Sequence, residues 1–292
     1  MTTLIALFMS LLLTACSAAT MADVKSAPPP DVLLTEEPAQ ETIRYTVELR
    51  VCEDAVQAED GTPLASYRFR LPVLTACRED GTAITEPETE LETQAVTAAA
   101  AFNERFDGWA EAEEFQTVAA GAAEDYAWRR TAGYEWSGGY TMELDCTVYQ
   151  TERMVSVSGL YYSYTGGAHP NTYLMGWNFD LDAGTFFEPE LLAEDSAMQE
   201  AVAAELVRQA RARAAENSLA PEEFFWSDYE TIIADWGSYA VSFDETGMRV
   251  AFSPYELAAY AAGAQEFQLS YEWLEPWLSA HGRELLGLEA EE

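Results

Sequence analysis

Hydrophobic and polar residues alternate strictly from Ile43 to Val51, with an apolar side chain at every odd position. A period of two predicts a half-buried β-strand. The turn sequence at 59–62 and a second apolar alternation through Val73 predict the partner of a hairpin. If the turn is centred near Gly61, Cys52 lies opposite about residue 69.

The next pattern has the period of an α-helix. Between Ala95 and Trp109, apolar residues recur at spacings of four and three, which is one stripe of an amphipathic helix. A second helix is predicted over about 111–130. The remaining patterns predict strands at about 140–150, 153–164 and 172–181, helices at about 196–216 and 221–234, and a last hairpin over 240–252.

Runs of strands and runs of helices, without regular βαβ alternation, predict an α+β fold. We expect two associated modules, each mainly an antiparallel sheet packed against helices. The N-terminal α+β module is predicted over 41–150 and the C-terminal module over 151–285.

The N-terminus predicts where the protein resides. Residues 1–15 carry no charged side chain and form an apolar run of signal-peptide length. Leu13-Thr14-Ala15-Cys16 resembles the lipobox of bacterial lipoproteins, in which the peptide is cut before a cysteine that takes a diacylglycerol. The resemblance implies a lipoprotein signal peptide over 1–15, a lipidated Cys16 and a Pro-rich tether over 16–40. An ordinary secretory signal with a chance cysteine is the alternative.

The acylated Cys16 would make the lipid bilayer a partner, with the chain at the extracytoplasmic face of the cell membrane. The net charge then limits which other classes of partner are expected. The chain has 15 Lys+Arg against 51 Asp+Glu, a formal net charge of −36. Such acidity excludes nucleic acid and docking on anionic lipid through a basic patch. At 49% hydrophobic and 12% aromatic residues, the chain can build a core. We therefore expect a cationic or uncharged partner.

Cysteine positions predict free thiols after Cys16. Cys146 falls on the apolar face of an alternating strand, so we expect a buried thiol. A bond between Cys52 and Cys77 is not expected. The hairpin register puts Cys77 roughly 25 Å beyond the residue opposite Cys52, and a bridge needs Cα atoms within about 7 Å.

One motif carries a resemblance to a known family. The stretch Tyr164-Thr165-Gly166-Gly167-Ala168-His169-Pro170-Asn171 resembles the signature of a family of bacterial envelope domains, the RsiV-like domains. These form the extracytoplasmic part of the anti-sigma factor RsiV and the non-catalytic part of the peptidoglycan deacetylase PdaC. The segments 178–184 and 252–263 are similar to the following strand and turn and to the C-terminal hallmark of that family. The resemblance implies a two-part α+β extracytoplasmic domain.

The motif residues allow two interpretations. Thr165-Gly166-Gly167 permits positive φ or a close backbone approach at a strand end. Side chains there either converge on a ligand or form a structural turn in which His169 and Asn171 bond to backbone. Tyr255 contacts a ligand or packs inward with Tyr260. The candidate ligand-binding residues are Tyr164, Thr165, Gly166, Gly167, His169, Asn171 and Tyr255.

Evidence for catalysis is lacking in the sequence. His169 and His281 share no helix and no metal-ligand spacing. The common nucleophile and phosphate-loop motifs are missing. Asp180, Asp182 and Gly184 form either a partial calcium loop or a plain hairpin turn. We expect no catalytic residue, no metal site and no cofactor.

Three functions remain open. The first is a non-catalytic binding or sensing lipoprotein of the cell envelope. For this function, the resemblance implies a cationic wall hydrolase such as lysozyme as the partner, and the net charge would steer it. The second is a peptidoglycan- or carbohydrate-binding module that uses exposed Trp and Tyr. The third is a wall-active hydrolase centred on His169.

Overall fold

The computed structural model describes residues 42–288, apart from the side chain of Glu113. The predicted signal peptide (1–15), the lipidated Cys16 and the tether (16–40) lie outside the described residues. Residues 42–288 belong to one compact unit. Two mainly antiparallel sheets packed against helices confirm the α+β class. Within 42–288, none of the helices is both long and apolar enough to cross a membrane.

The first sheet has six strands in chain order. They are β1 (Arg44–Gln57), β2 (Pro63–Cys77), β3 (Tyr140–Gln150), β4 (Met154–Tyr164), β5 (Asn171–Asp180) and β6 (Thr185–Phe187). Neighbours are antiparallel except β2 and β3, which are parallel. Between these two strands come α1 (Glu90–Glu111) and α2 (Glu113–Ala132), the long crossover that a parallel pair requires. We call the sheet surface opposite α1 and α2 the open face.

The register of the first hairpin agrees with the turn at Gly61. Cys52 lies opposite Phe69, and Cys77 lies opposite Arg44 at the far end of the pair. Cys52, Cys77 and Cys146 are free thiols in the described part of the chain. Cys146 is fully buried, and this burial raises its pKa to about 12. Because Cys52 and Cys77 lie far apart along the hairpin and both are free, the predicted absence of a bridge between them is confirmed.

The apolar face of β1 is predicted to be buried, and this prediction is wrong at Leu49 and Val51. Both side chains are exposed. Val51 lies opposite Arg70 in the sheet, and Arg70 is on the open face, where it pairs with Asp145 at 2.6 Å. Cys52 points the other way, opposite the buried Phe69. Alternation alone shows that two faces differ, but the face that is covered depends on where the helices pack.

Helix α1 holds the first sheet through polar as well as apolar contacts. Thr89 caps its first turn by accepting from the backbone N–H of Glu92 at 3.1 Å. Asn103 accepts from the N–H of Leu74 at 2.8 Å and donates to its carbonyl at 2.9 Å. The β2 backbone is thereby satisfied beyond the residues that pair with β3. Phe102 and Phe106 fill the core between helix and sheet.

The second sheet has three antiparallel strands. They are β7 (Ala240–Asp244), β8 (Gly247–Phe252) and β9 (Gln265–Ser270). Helix α3 (Ala197–Glu216) packs against them through a stripe at spacings of four, namely Met198, Val202, Leu206, Ala210 and Ala214. The strand β9 was not expected from the sequence.

The helix predicted over 221–234 is wrong in its continuity. Two short helices, α4 (Pro221–Phe224) and α5 (Tyr229–Ala234), take its place. Between them Phe225 forms a β-bridge with Ala258, which draws the backbone out of the helical path. The described chain ends with α6 (Tyr271–Leu274) and α7 (Ala280–Leu286).

The edge strand β7 lies across the open face, over β4 and β5. A Cβ at Gly176 would stand 2.0 Å from the carbonyl oxygen of Val241, so only glycine allows this approach. The Asn178 side-chain amide donates to the same carbonyl at 3.1 Å. Ser156 donates to Asn178 at 2.8 Å and accepts from the N–H of Phe243 at 2.7 Å. Side chains of the first sheet thus satisfy the free edge of β7.

The predicted boundary at 150/151 falls at the turn between β3 and β4. These strands pair from Thr141↔Tyr164 to Gln150↔Val155 within the first sheet. Two hydrophobic clusters are present, one between the first sheet and its helices and one around the second sheet. The division into two modules stays a prediction.

The contact at Gly176 makes a stability prediction. Gly176→Ala is expected to lower the free energy of unfolding by about 1–3 kcal/mol or more, because the added methyl meets backbone that cannot rotate away. The matched control is Gly121→Ala in α2, where a Cβ meets nothing within 4 Å. That change is expected to raise stability by about 0.5–1 kcal/mol through helix propensity. Urea unfolding measures both, and equal effects would contradict the close approach.

Candidate functional site

The motif loop joins β4 to β5 with two glycines in the left-handed region. Gly166 has φ +87° and Gly167 has φ +103°, values that other residues adopt at a cost in strain. Tyr164, at the end of β4, donates its hydroxyl to the Gly167 carbonyl at 3.3 Å. The predicted positive φ is confirmed, and the loop is a turn that is closed by this hydrogen bond.

His169 lies in this loop with both ring nitrogens engaged. Its Nδ1 is 2.9 Å from the carbonyl oxygen of Pro170. Since a carbonyl only accepts, Nδ1 carries the proton. The other nitrogen, Nε2, is 3.3 Å from the Tyr255 hydroxyl. In the neutral ring, Nε2 therefore accepts from Tyr255. His169 makes the backbone bond of the structural interpretation and also faces a candidate ligand-binding residue.

Tyr255 lies in the connection from β8 to β9, in a strained conformation. Its φ is +76°, which is uncommon for a bulky residue. Two bonds hold it: its N–H donates to Ala258 at 3.1 Å, and the Trp226 indole donates to its carbonyl at 2.9 Å. The side chain is 54% exposed, so the expectation that Tyr255 packs inward is wrong.

Three rings make up what we call the ring cluster: His169, Tyr255 and Tyr260. Tyr260 stacks on His169 with ring centroids 3.9 Å apart and planes at 20°. Tyr255 lies 5.5 Å from Tyr260 between centroids. The structure thus joins the two motifs of the sequence, although His169 and Tyr255 are 86 positions apart. Tyr260 lies in the same short segment as Tyr255 and could have been associated with it from the sequence. No pattern in the sequence indicates that Trp226 supports Tyr255.

The other predicted residues lie away from this contact. Gly166 faces Tyr140, since a Cβ there would be 3.3 Å from the Tyr140 hydroxyl. Asn171 begins β5, where it is exposed and pairs with Ser163. Thr165 and Gly167 are exposed in the loop. The loop therefore has two sides, one of which packs on Tyr140 and the other on the ring cluster.

Tyr140 supports the glycine side of the loop. Burial raises the pKa of its hydroxyl, and the nearby Asp125 carboxylate raises it further. The hydroxyl stays protonated at neutral pH and donates to Asp125 at 3.3 Å. Asp125 also pairs with Arg129 at 2.8 Å. The base of the loop is therefore a fixed polar network.

Asp180 holds the turn that the sequence interprets as a partial calcium loop or a plain hairpin turn. Its Oδ1 accepts from the backbone N–H groups of Asp182 at 2.9 Å and Ala183 at 2.8 Å. Its Oδ2 is 3.2 Å from Nε2 of His281 in α7. Both oxygens are engaged in holding the turn and the last helix, as the hairpin interpretation requires. Among residues 42–288, no group of three or more His, Cys, Asp or Glu is placed to hold a metal ion.

One family model matches a stretch of the chain that contains part of this site. Residues 189–272 match the model of a family described as "Protein of unknown function (DUF3298)". The matched stretch contains Trp226, Tyr255 and Tyr260, whereas the motif loop with His169 precedes it. The link to the domains of RsiV and PdaC stays a prediction. A search of curated proteins finds no match.

Two solved structures described by the same family name match this chain. A DUF3298 family member from Bacteroides fragilis has a TM-score of 0.57 at 14% identity, covering 86% of this chain and 100% of its own. A DUF3298 family protein from Pseudomonas aeruginosa has a TM-score of 0.43 at 16% identity, covering 82% and 96%. At such identities the first of these supports the fold alone.

The strain at Tyr255 predicts how substitutions there change stability. Tyr255→Gly is expected to keep the free energy of unfolding or to raise it by up to about 1 kcal/mol, because glycine tolerates positive φ. Tyr255→Val is expected to lower it by about 1–2 kcal/mol, because a β-branched residue is disfavoured there. Urea denaturation of both variants tests this. A less stable glycine variant would mean that the ring serves the fold.

Proposed function

We propose that this protein is a non-catalytic binding domain of the bacterial cell envelope, with a cationic protein of the wall-hydrolase class, such as lysozyme, as its partner. The observation that supports this best is the ring cluster. Tyr255 is presented to solvent in a strained conformation that the fold maintains through Trp226 and Ala258. Residues held in sparsely populated conformations are concentrated at functional sites.

The chemistry of the ring cluster suits cationic side chains. Aromatic faces attract guanidinium and ammonium groups, by about 0.5–2 kcal/mol per contact. The His169 ring is held between the Pro170 carbonyl and the Tyr255 hydroxyl. Tyr255 and Tyr260 offer two further rings beside it. An arginine or lysine of a partner is the complementary group.

Long-range charge favours the same class of partner. The chain has 51 acidic side chains against 15 basic ones. Nine arginines of the described part already pair with carboxylates, which leaves most acidic groups without a basic partner. One concavity of about 490 Å³ on the open face is lined by Glu53, Asp54 and Glu143 around Arg68. Such a field accelerates the approach of a cationic protein.

Location at the envelope and the absence of catalysis are parts of the proposal. The location rests on the lipobox-like sequence that ends at Cys16. A hydrolase centred on His169 would need that ring to activate a nucleophile, with a third group to orient it. The two ring nitrogens instead contact a backbone carbonyl and a phenol. This geometry supports binding over turnover.

Titration with hen-type lysozyme tests the proposal. Binding is expected at low ionic strength and should weaken as salt rises through about 0.1–0.3 M, where screening shortens to under about 10 Å. Tyr255→Gly is expected to weaken binding about tenfold, because one aromatic contact with a desolvated cation is lost. Calorimetry measures both effects.

Two controls make the titration specific. Tyr134→Ala removes an exposed tyrosine outside the ring cluster and should leave affinity unchanged. A cationic protein of similar size without wall-cleaving activity should bind more weakly than lysozyme. No binding even at low salt would reject the partner class. Equal loss in both tyrosine variants would reject the ring cluster as the site.

A carbohydrate-binding function is the second candidate, and one surface favours it. Trp128 and Tyr134 are 59% and 62% exposed. Their rings stack with centroids 5.5 Å apart and planes at 21°. Flat exposed aromatic pairs offer apolar faces on which sugar rings can pack, although Trp and Tyr also occur singly on surfaces without a ligand.

Sedimentation with purified peptidoglycan distinguishes the second candidate from the first. If sugar stacking operates, the chain is expected to co-sediment with little dependence on salt, since apolar stacking is not screened. Trp128→Ala should then reduce the bound fraction severalfold, while Tyr255→Gly should not. Salt-sensitive binding that survives Trp128→Ala would point back to charge rather than to stacking.

A further inference from the structure

A cleft lies where the second sheet crosses the open face of the first. It consists of two adjoining cavities of about 220 Å³ each. Residues from β3 and β4 form one wall, and residues from β7 and β8 form the other. Together the two cavities have the size usual for small-molecule sites, roughly 300–1,000 Å³. Neither motif of the sequence contributes to this cleft.

The four residues shared by both cavities are all polar: Thr147, Ser158, Ser242 and Arg249. Thr147 and Ser158 face each other across β3 and β4, with their hydroxyl oxygens 2.7 Å apart. One hydroxyl donates to the other, so the accepting one keeps a hydrogen for a further bond. Ser242 pairs with Arg249 on the opposite wall. Polar groups from both sheets therefore converge at the centre of the cleft.

Two of the charged groups that line the cleft, Arg249 and Asp145, are already paired, while Asp244 and Glu245 of the second cavity form no salt bridge within the described residues. Arg249 donates from Nε and Nη2 to a single oxygen of Glu266, which leaves Nη1 available to donate. Asp145 accepts from Arg70 at 2.6 Å through Oδ1, which leaves Oδ2 available to accept. Both groups keep directed hydrogen-bonding capacity while their own charges are paired. Leu160, Leu174 and Met175 supply apolar surface next to these groups.

We propose that this cleft binds a neutral, polyhydroxylated small molecule of about the size of a mono- or disaccharide. A sugar ring presents adjacent hydroxyls that both donate and accept, together with apolar C–H faces. The cleft offers the complementary set: hydroxyls, the free N–H groups on Nη1 of Arg249, one carboxylate oxygen of Asp145 and an apolar wall. This inference concerns a different site from the ring cluster and does not depend on the proposed partner protein.

Ions fit this site less well than a neutral ligand. An anion would meet Arg249 in competition with Glu266, in a protein of net charge −36. A cation would meet Asp145 in competition with Arg70. At either of these groups the ion would stand beside a like charge, Glu266 for the anion and Arg70 for the cation, which weakens its binding. Asp244 and Glu245, which form no salt bridge within the described residues, line only the second cavity, and a cation there is the main competing ligand. A neutral polyol uses the free positions and leaves both pairs intact.

Amide NMR of the full chain, titrated with glucose, N-acetylglucosamine and myo-inositol, tests the cleft. Chemical-shift changes are expected along β3, β4 and β7 at millimolar ligand. Thr147→Val removes one hydroxyl at nearly constant shape and should weaken binding about tenfold, the effect of about 1.4 kcal/mol. The matched control is Thr141→Val, on the same face of the same strand but in another concavity. It should bind as the unchanged protein does.

Each other outcome overturns the proposal. No shifts along β3, β4 and β7 at tens of millimolar of any probe would show that the cleft is not a polyol site. Stronger binding there of inorganic phosphate or of a simple amine would show the wrong ligand class. Shifts confined to Trp128 and Tyr134 would move sugar binding to that surface. Lysozyme titration of Thr147→Val is expected to be unchanged, so the two sites are tested separately.

Discussion

The contact between the backbone of β7 and the bare backbone of Gly176 determines how the two sheets of this protein meet. No side chain lies between the two strands at that point, because a Cβ would stand 2.0 Å from the Val241 oxygen. Asn178 and Ser156 complete the contact by bonding to the backbone of Val241 and Phe243. Leu174 lies two residues before Gly176 in β5, and its N–H donates to the Ser253 hydroxyl at 3.1 Å. The line of bonds along β5 thus orients the whole second sheet.

Both candidate surfaces follow from this line of bonds. Ser253 lies two positions before Tyr255, so fixing Ser253 on β5 brings the ring cluster together at the end of β5 where the motif loop is. Towards β3, the crossing strands diverge and leave the cleft with Thr147 and Arg249 on its two walls. Buried polar groups such as Asn178 and Ser156 are costly unless bonded, and here each bond also closes an exposed strand edge.

Local features of this fold could be predicted from the sequence, while long-range docking could not. The turn at Gly61 determines the hairpin register, and Cys52 lies opposite Phe69 as turn geometry requires. The positive φ of Gly166 and Gly167 was likewise a local matter. In contrast, the break at Phe225 depends on a bridge to Ala258, and the exposure of Tyr255 depends on Trp226. Such contacts join residues about 30 positions apart and leave no periodic trace in the chain.

The ring cluster also has a place in the order of folding. The first sheet, from β1 to β6, is complete in the chain before the second sheet begins at Ala240. His169 therefore precedes Tyr255 and Tyr260 in the order of synthesis, and its two ring partners belong to the connection between β8 and β9 of the second sheet. The complete ring cluster needs residues from both sides of this order. Capture of the proposed partner at this surface would therefore require both sheets to be folded.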